Sequence, residues 1–202
     1  MDKLVVIGAS AGGIDALATI CADLPVDFPA PVLIVTHVGP EGNALHEVLA
    51  QRCVLPVRYG EHGQLAKPSE IVIAAPGRHL TVVREGVNAG LRLVDEPHPY
   101  LRPPAINPLF HSAAEAFGKD VIGVLLSGFL DDGVEGLRHI QARGGVIIVQ
   151  DPSDAQVPDM PANAIRGTTP NSILRSDSIA PALIALAGAR HEAPACDAAL
   201  QT

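Results

Sequence analysis

A serine in a glycine-rich turn is the first feature of the sequence that could carry chemistry. Residues 4–13 read LVVIGASAGG, an apolar β-branched run that meets glycines around Ser10, and a helical pattern begins directly afterwards. Residues 8–12 fit the G-x-S-x-G pattern, in which a sharp strand-to-helix turn exposes a serine hydroxyl at the edge of a sheet. Backbone N–H groups at a helix start favour an anion nearby, such as a developing oxyanion. Ser10 is therefore the candidate nucleophile.

The same turn has a second interpretation as a loose dinucleotide-binding fingerprint. Gly8, Gly12 and Gly13 resemble its glycines, but Ser10 occupies the place of the second one, where the backbone must approach a pyrophosphate. The fingerprint also needs an acidic residue after the second strand, where this sequence has His37. A Walker-type phosphate loop is excluded because no Gly-Lys-Ser/Thr follows. The turn by itself leaves the nucleophile and cofactor interpretations open, since short Gly/Ser patterns are frequent in α/β turns.

Two more polar residues stand where predicted strands end. His37 follows the apolar segment 31–36, and Asp132 lies in the loop after the apolar run 121–126. Loops that follow parallel strands gather at the carboxyl edge of the sheet, so we expect these residues beside Ser10. Together they could form a triad in which the serine attacks, the imidazole moves the proton and the aspartate orients the imidazole. Singly, each also fits a structural role, as a helix cap or a strand-end residue.

The elements that must position these residues follow a β-α-β pattern. Strands are predicted over 4–7, 31–36, 121–126, 146–149 and 173–174, and helices over 14–21, 43–52, 108–117, 134–143, 161–166 and 179–187. Between them, residues 54–96 hold short apolar segments at 57–59, 71–75, 80–83 and 91–94, separated by Gly/Pro turns. We predict an α/β fold with a doubly wound, mostly parallel sheet, to which these four segments add an antiparallel hairpin or meander. Residues 97–108 form a proline-rich, rigid loop that includes Arg102 and Asn107.

Composition limits the function classes. The 202-residue chain is 48% hydrophobic and 3% aromatic, as expected for a Val/Ile/Leu-rich parallel sheet, and its net charge of −8 opposes binding to nucleic acid or to an anionic membrane. Cys21, Cys53 and Cys196 match no metal-ligand spacing and suit a reducing compartment. No apolar segment near the N-terminus is long enough for a signal peptide or a membrane span. We predict a cytoplasmic protein without a metal or cofactor, with one catalytic domain over 1–188 and a disordered tail over 189–202.

Five segments in order resemble the catalytic domain of the chemotaxis protein-glutamate methylesterase (CheB) family. They are residues 7–13, 36–38, 73–77, 108–112 and 126–133, and the resemblance extends over about 4–187. It implies a doubly wound sheet with an added hairpin and hydrolysis of glutamate methyl esters on the cytoplasmic helices of chemoreceptors, giving glutamate and methanol. Some members also deamidate glutamine. The resemblance assigns Ser10 as nucleophile, His37 as base and Asp132 as the third member of the triad.

The sequence also departs from the family pattern. Residues 128–133 read GFLDDG where GMGNDG is usual, so Leu130 replaces a glycine and Asp131 a neutral amide. Ala11 stands where a threonine is common and Asn107 where an aspartate is common. Two alternatives therefore stay open. Beside the main prediction of an active methylesterase, the chain could be a catalytically impaired relative that binds receptors or signalling proteins. On the weaker evidence of the turn, it could be a dinucleotide-binding protein.

A receiver domain usually precedes the catalytic domain in this family. Only three residues precede the first predicted strand here, so we expect a stand-alone catalytic domain. Its activity would then need no phosphodonor, and a separate receiver or another chemotaxis protein would be a partner in trans.

Overall fold

The computed structural model describes residues 3–37, 44–95 and 103–188, which form ten strands and six helices. The strands are β1 (Leu4–Ala9), β2 (Val32–Thr36), β3 (Val57–Tyr59), β4 (Leu65–Ala66), β5 (Ile71–Ile73), β6 (His79–Glu85), β7 (Asn88–Val94), β8 (Val121–Leu125), β9 (Val146–Gln150) and β10 (Ser172–Leu174). The helices are α1 (Gly13–Ala22), α2 (Leu45–Arg52), α3 (Ile106–Phe117), α4 (Val134–Ala142), α5 (Asp159–Gly167) and α6 (Ser176–Gly188), and the 3₁₀ turn Gly118–Asp120 follows α3.

The main sheet has seven strands in the order β10-β9-β8-β1-β2-β5-β3, and every neighbouring pair is parallel. The chain runs from β1 outward through β2 on one side and returns to β8 on the other. The strand order therefore reverses beside β1, which is where open α/β sheets leave a crevice at their carboxyl edge. The predicted doubly wound, mostly parallel sheet is confirmed.

Strand β1 lies at the centre of the sheet, and all six of its residues are buried. Leu4 and Val6 pack into a core with the apolar faces of α3, α4 and the second sheet, whereas Val5 and Ile7 pack into a core with α1, α2 and α6. Successive side chains of a strand point to opposite faces, so both layers hold β1 in place. This double burial explains why β1 reads as a continuous apolar run rather than an alternating one.

A separate antiparallel sheet has the order β4-β7-β6, and its long β6–β7 hairpin is the added hairpin that the sequence predicts. The prediction was wrong, however, in placing segments 57–59 and 71–75 in the antiparallel unit. β5 pairs in parallel with β2, and β3 pairs in parallel with β5, so both extend the main sheet. Parallel neighbours are usually joined through a helix. The connection from β3 to β5 carries the short strand β4 instead, which removes the sequence signal of a crossover.

Several element boundaries differ from the predicted ones in ways that affect the site. Helix α3 begins at Ile106, two residues before the predicted start at Pro108, and so includes Asn107 in its first turn. Helix α5 is longer than the predicted 161–166. The predicted cap Asn43, the first half of the proline-rich loop (residues 97–102, with Arg102) and the predicted tail 189–202 lie outside the described residues. Within the described ranges, no helix has the length and apolar character needed to cross a bilayer.

Candidate active site

Ser10 lies in the tight turn between β1 and α1, at the carboxyl edge of the main sheet. Its N–H donates to the carbonyl of Ser127, 2.9 Å away, and its own carbonyl accepts from the N–H of Gly13 at 3.0 Å. Gly12 adopts a φ of 73°, and a Cβ at this position would lie 2.6 Å from Gln156 Oε1. Because only glycine tolerates both conditions, Gly12 allows the chain to enter α1 directly after the serine.

His37 connects Ser10 with Asp132. Its Nδ1 lies 2.9 Å from Ser10 Oγ, and its Nε2 lies 2.6 Å from Asp132 Oδ2. An ionised carboxylate only accepts hydrogen bonds, so Nε2 carries the ring proton and Nδ1 accepts from the serine hydroxyl. The structure thus brings together the three residues that the sequence predicts, at the ends of the adjacent strands β8, β1 and β2. An imidazole held in this way can take the hydroxyl proton while its other nitrogen stays bonded to the carboxylate.

Asp132 is buried, with only 7% of its surface exposed, at the N-terminus of α3. The N–H of Ile106 donates to its Oδ2 at 2.8 Å, and the N–H of Asn107 donates to its Oδ1 at 3.0 Å. Burial by itself raises the pKa of the Asp132 carboxyl, but the bonds from His37 and from these two N–H groups outweigh it, so the pKa lies below the ordinary value. The carboxylate therefore stays ionised beside His37.

Asn107 makes a second set of bonds that the sequence did not predict. Its Oδ1 accepts from the N–H of Gly133 at 3.1 Å and from the N–H of Gly136 at 2.8 Å. These N–H groups lie at the start of α4, which follows Asp132 directly, so a side chain in α3 acts as the cap of α4. The amide oxygen accepts both bonds as an aspartate oxygen would.

Two glycines let α3 approach the site closely. Its first residue, Ile106, lies so near to β1 that a Cβ on Gly8 would be 2.4 Å from Ile106 Cγ2. A Cβ on Gly133 would be 2.9 Å from the same atom, and Gly133 also has a φ of 94°. Larger residues at either position would push the helix N-terminus away from Asp132. Gly8 therefore helps to place α3 against Asp132, although in the sequence it belongs to the turn that holds Ser10.

Ser127 ties the turn around Ser10 to the segment that follows β9. Its Oγ donates to the carbonyl of Ala11 at 2.8 Å and accepts from the N–H of Val157 at 2.9 Å. Its N–H donates to Oε1 of the buried Gln150 at 2.9 Å. The signal that could have revealed this network is the presence of two polar residues, Ser127 and Gln150, directly after apolar runs in neighbouring strands.

An open cleft of about 300 Å³ lies over this arrangement. Its lining residues are Ser10, Ala11, Gly12, Ile14, Asp15, Thr36, His37 and Gln156. Within residues 3–37, 44–95 and 103–188, histidine, cysteine and acidic side chains nowhere converge in a group of three that could hold a metal ion. Ser10 and His37 both line the cleft, and a serine hydroxyl beside an imidazole suits nucleophilic attack on an acyl group.

A family model described as CheB methylesterase matches residues 5–183. The chain belongs to the CheB methylesterase family. A relative from Anaeromyxobacter dehalogenans, named protein-glutamate methylesterase/protein-glutamine glutaminase 2, is 42% identical over 182 residues, which cover 90% of this chain and 52% of that protein. A relative from Leptospira interrogans is 34% identical over 188 residues, covering 91% of this chain and 94% of the relative. This chain therefore spans about half the length of the first relative and nearly all of the second.

The fold agrees with a solved member of the family. The crystal structure of the Thermotoga maritima CheB methylesterase catalytic domain superposes with a TM-score of 0.88 at 30% sequence identity, covering 92% of this chain and 99% of that one. The predicted resemblance to the CheB family is thereby confirmed for the fold as well as for the sequence.

The loop 128–133 is where this chain departs from the CheB pattern. Leu130, which stands in the place of a glycine, has a φ of 64°, so it keeps the left-handed conformation that glycine adopts readily. Asn163 Nδ2 donates to the Leu130 carbonyl at 2.6 Å and helps to hold this conformation. Asp131 is exposed, whereas Asp132 is buried. The substitutions therefore change the outer surface of the loop and leave the contact between Asp132 and His37 intact.

Proposed function

We propose that this chain is a serine carboxylesterase that hydrolyses glutamate γ-methyl esters on proteins, with Ser10, His37 and Asp132 as its catalytic triad. The observation that carries the proposal is the placement of His37 within hydrogen-bonding distance of both Ser10 Oγ and Asp132 Oδ2. Membership of the CheB methylesterase family supports the reaction type. The same membership speaks against the dinucleotide-binding alternative.

In this mechanism Ser10 Oγ attacks the ester carbonyl while His37 Nδ1 takes its proton. The imidazolium that forms keeps its Nε2–H bonded to Asp132, and the ionised carboxylate stabilises the new charge. Collapse of the tetrahedral intermediate transfers the proton from His37 to the methoxide, so methanol leaves and an acyl-serine remains. Water then attacks the acyl group, again with His37 as base, and releases the glutamate side chain and the free serine.

The oxyanion of the intermediate needs donors beside Ser10. Three nearby N–H groups are already engaged: Ser10 N–H with the Ser127 carbonyl, Gly13 N–H with the Ser10 carbonyl and Gly128 N–H with the Val157 carbonyl. We assign the oxyanion to the N–H of Ala11, the residue after the nucleophile, because this position supplies one donor in comparable strand-turn-helix sites. The positive end of the dipole of α1 supports the same charge.

The substrate that we propose is the cytoplasmic helix of a methylated chemoreceptor. The name of the Anaeromyxobacter relative also includes protein-glutamine glutaminase, and a glutamine side chain presents the same carbonyl with an amine in place of the methoxy group. We therefore include glutamine deamidation as a second reaction of this site, in which His37 protonates the departing ammonia. A separate receiver or another chemotaxis protein is the partner that we propose for control.

Methanol release from a methylated chemoreceptor fragment tests the proposal directly. We expect the wild-type chain to release methanol and Ser10→Ala to lower the rate by several orders of magnitude while remaining folded, because only binding and oxyanion stabilisation would remain. Wild-type chain that binds the receptor but releases no methanol would favour the catalytically impaired alternative. A folded Ser10→Ala protein with normal turnover would remove Ser10 from the mechanism.

A further inference from the structure

Two exposed apolar side chains lie on the loop between β8 and α4. The side chain of Leu130 is 75% exposed and that of Phe129 is 58% exposed. The chain's three other phenylalanines, Phe28, Phe110 and Phe117, are at most 4% exposed. Neither residue of the exposed pair therefore contributes substantially to the hydrophobic core.

The backbone beneath this pair is held by hydrogen bonds on both sides. The bonds are Gly128 N–H to the Val157 carbonyl at 3.0 Å, Met160 N–H to the Gly128 carbonyl at 2.9 Å, Asn163 Nδ2 to the Leu130 carbonyl at 2.6 Å and Val134 N–H to the Asp131 carbonyl at 3.1 Å. A loop anchored in this way presents its side chains in a fixed place. A partner that binds them then loses little additional backbone entropy on binding.

Leu130 is an unfavourable choice for folding alone. Its φ of 64° lies in the left-handed region, where a leucine is strained and a glycine is not. Because most of the side chain is exposed to solvent, packing within the chain does not compensate for this strain. The packing of Leu130 within the chain therefore does not account for a leucine at this position.

The two ends of the loop that carries the pair lie beside Ser10 and His37. The loop begins at Gly128, where a Cβ would lie only 2.7 Å from Ser10 Cβ, and it leads to Asp132, which bonds to His37. In the sequence, Phe129 and Leu130 thus lie between the residue packed on the serine and the residue bonded to the histidine, outside the residues that line the cleft. Because Gly128 packs on Ser10, a polypeptide whose glutamate side chain reaches Ser10 can place its backbone near this loop.

We propose that Phe129 and Leu130 form a docking contact for the protein substrate and take an apolar side chain one helical turn from the esterified glutamate. On a helix, residues three or four positions apart lie on the same face, about 5–6 Å from each other. A glutamate ester at Ser10 therefore places such a neighbour beside the catalytic residues, where an apolar rim favours an apolar side chain. This inference rests on the proposed function and adds a sequence preference for the substrate.

The test compares two substrates for the same enzyme. The first is a methylated chemoreceptor fragment, and the second is an N-acetylglutamate γ-methyl ester, which has no neighbouring residues. We expect Leu130→Gly to lower the ratio of kcat/KM for the fragment to kcat/KM for the small ester by about tenfold, and Phe129→Ala to lower it in the same direction. Leu130→Gly should not lower the melting temperature, since glycine adopts the backbone conformation without strain.

Val26→Ala is the matched control. Val26 is 70% exposed but lies before β2, at the opposite edge of the sheet from Ser10, so its substitution should leave the ratio unchanged. On the substrate side, replacing the apolar residue one turn from the ester by serine should slow the wild type. It should have little further effect on Leu130→Gly, because the two changes remove the same contact.

The outcomes separate the two proposals. Failure of the wild type to hydrolyse either substrate would reject the proposed function together with the docking contact. Hydrolysis of both substrates with an unchanged ratio in Leu130→Gly would reject the docking contact alone. Loss of a wild-type dimer in Leu130→Gly, seen by analytical ultracentrifugation with no change in the ratio, would assign the pair to self-association and overturn the proposal.

Discussion

Asp132 accepts hydrogen bonds at the start of α3, and Asn107 in α3 accepts hydrogen bonds at the start of α4, directly after Asp132. Asp132 thus holds the start of the helix that carries Asn107, and Asn107 holds the start of the helix that follows Asp132. The carboxylate that faces His37 therefore depends on an amide side chain that touches neither Ser10 nor the imidazole.

We expect Asn107→Ala to lower the free energy of unfolding by about 1 kcal/mol, as for the loss of a helix cap, and to reduce esterase activity by about tenfold to hundredfold as Asp132 loses its support. Asn107→Asp is the matched control, because its oxygen can accept the same two bonds. Denaturant unfolding and methanol release would measure both effects. Full activity of Asn107→Ala would show that Asp132 is held without the α4 cap.

Asp131 and Asp132 are adjacent in the sequence, so the effects of substituting each on activity can be compared directly. Asp132→Asn should lower the turnover rate by up to about 10⁴-fold, because an amide cannot hold the ring proton of His37 on Nε2 as the carboxylate does. Asp131→Asn should change the rate by about twofold or less, since Asp131 is exposed. Equal losses in the two variants would contradict the assignment of Asp132 to the triad.

Acid should destabilise the wild type through Asp132. The pKa of this carboxyl is lowered in the folded chain from an ordinary value of 3.8, so its ionised form contributes stability above that value and the contribution disappears as the pH falls through the folded pKa. The difference in unfolding free energy between wild type and Asp132→Asn should therefore be greatest at about pH 6 and shrink toward about pH 3. A difference that stays constant over this range would show that Asp132 has the same pKa in both states.

Gly8→Ala should disturb the site through β1, where Gly8 packs against the first residue of α3. The added methyl group would lie 2.4 Å from Ile106 Cγ2 and would displace the helix start that donates to Asp132. We expect a loss of about 1–3 kcal/mol in unfolding free energy, as for an overpacked core, together with lower activity. Gly188→Ala, where an added Cβ meets nothing within 4 Å, should be near neutral. Similar unfolding curves for the two variants would contradict this account.

The sequence predicts the candidate trio because Ser10 and His37 follow strands with a strong apolar pattern directly, and Asp132 lies in the loop after another such strand. Ser10, His37 and Asp132 occupy the carboxyl ends of three parallel strands, and that edge of an α/β sheet collects such residues. The pairing of β3 and β5 was not predictable in the same way. Each has only three residues, and their connection lacks the helix that would mark a parallel crossover.

The supporting residues around the trio could not be predicted because their roles depend on distances between backbones. Asn107 becomes a cap only because α3 starts two residues earlier than its proline suggests and approaches α4. Ser127 and Gln150 are marked in the sequence by their place directly after apolar runs, but their hydrogen bond follows only from the pairing of β8 with β9. A family resemblance identifies the segment around Ser127 but gives no hydrogen-bond partner for its hydroxyl.

The central position of β1 also determines when the site can form during folding. Ser10 and His37 are 27 residues apart and meet within one local β-α-β unit, whereas His37 and Asp132 are separated by 95 residues and meet only after β8 has paired with β1. Contacts that close long loops have a larger entropic cost and form slowly. We therefore expect the contact between Ser10 and His37 to form before the contact between His37 and Asp132. A chain in which β8 has not yet paired with β1 therefore lacks the contact between His37 and Asp132.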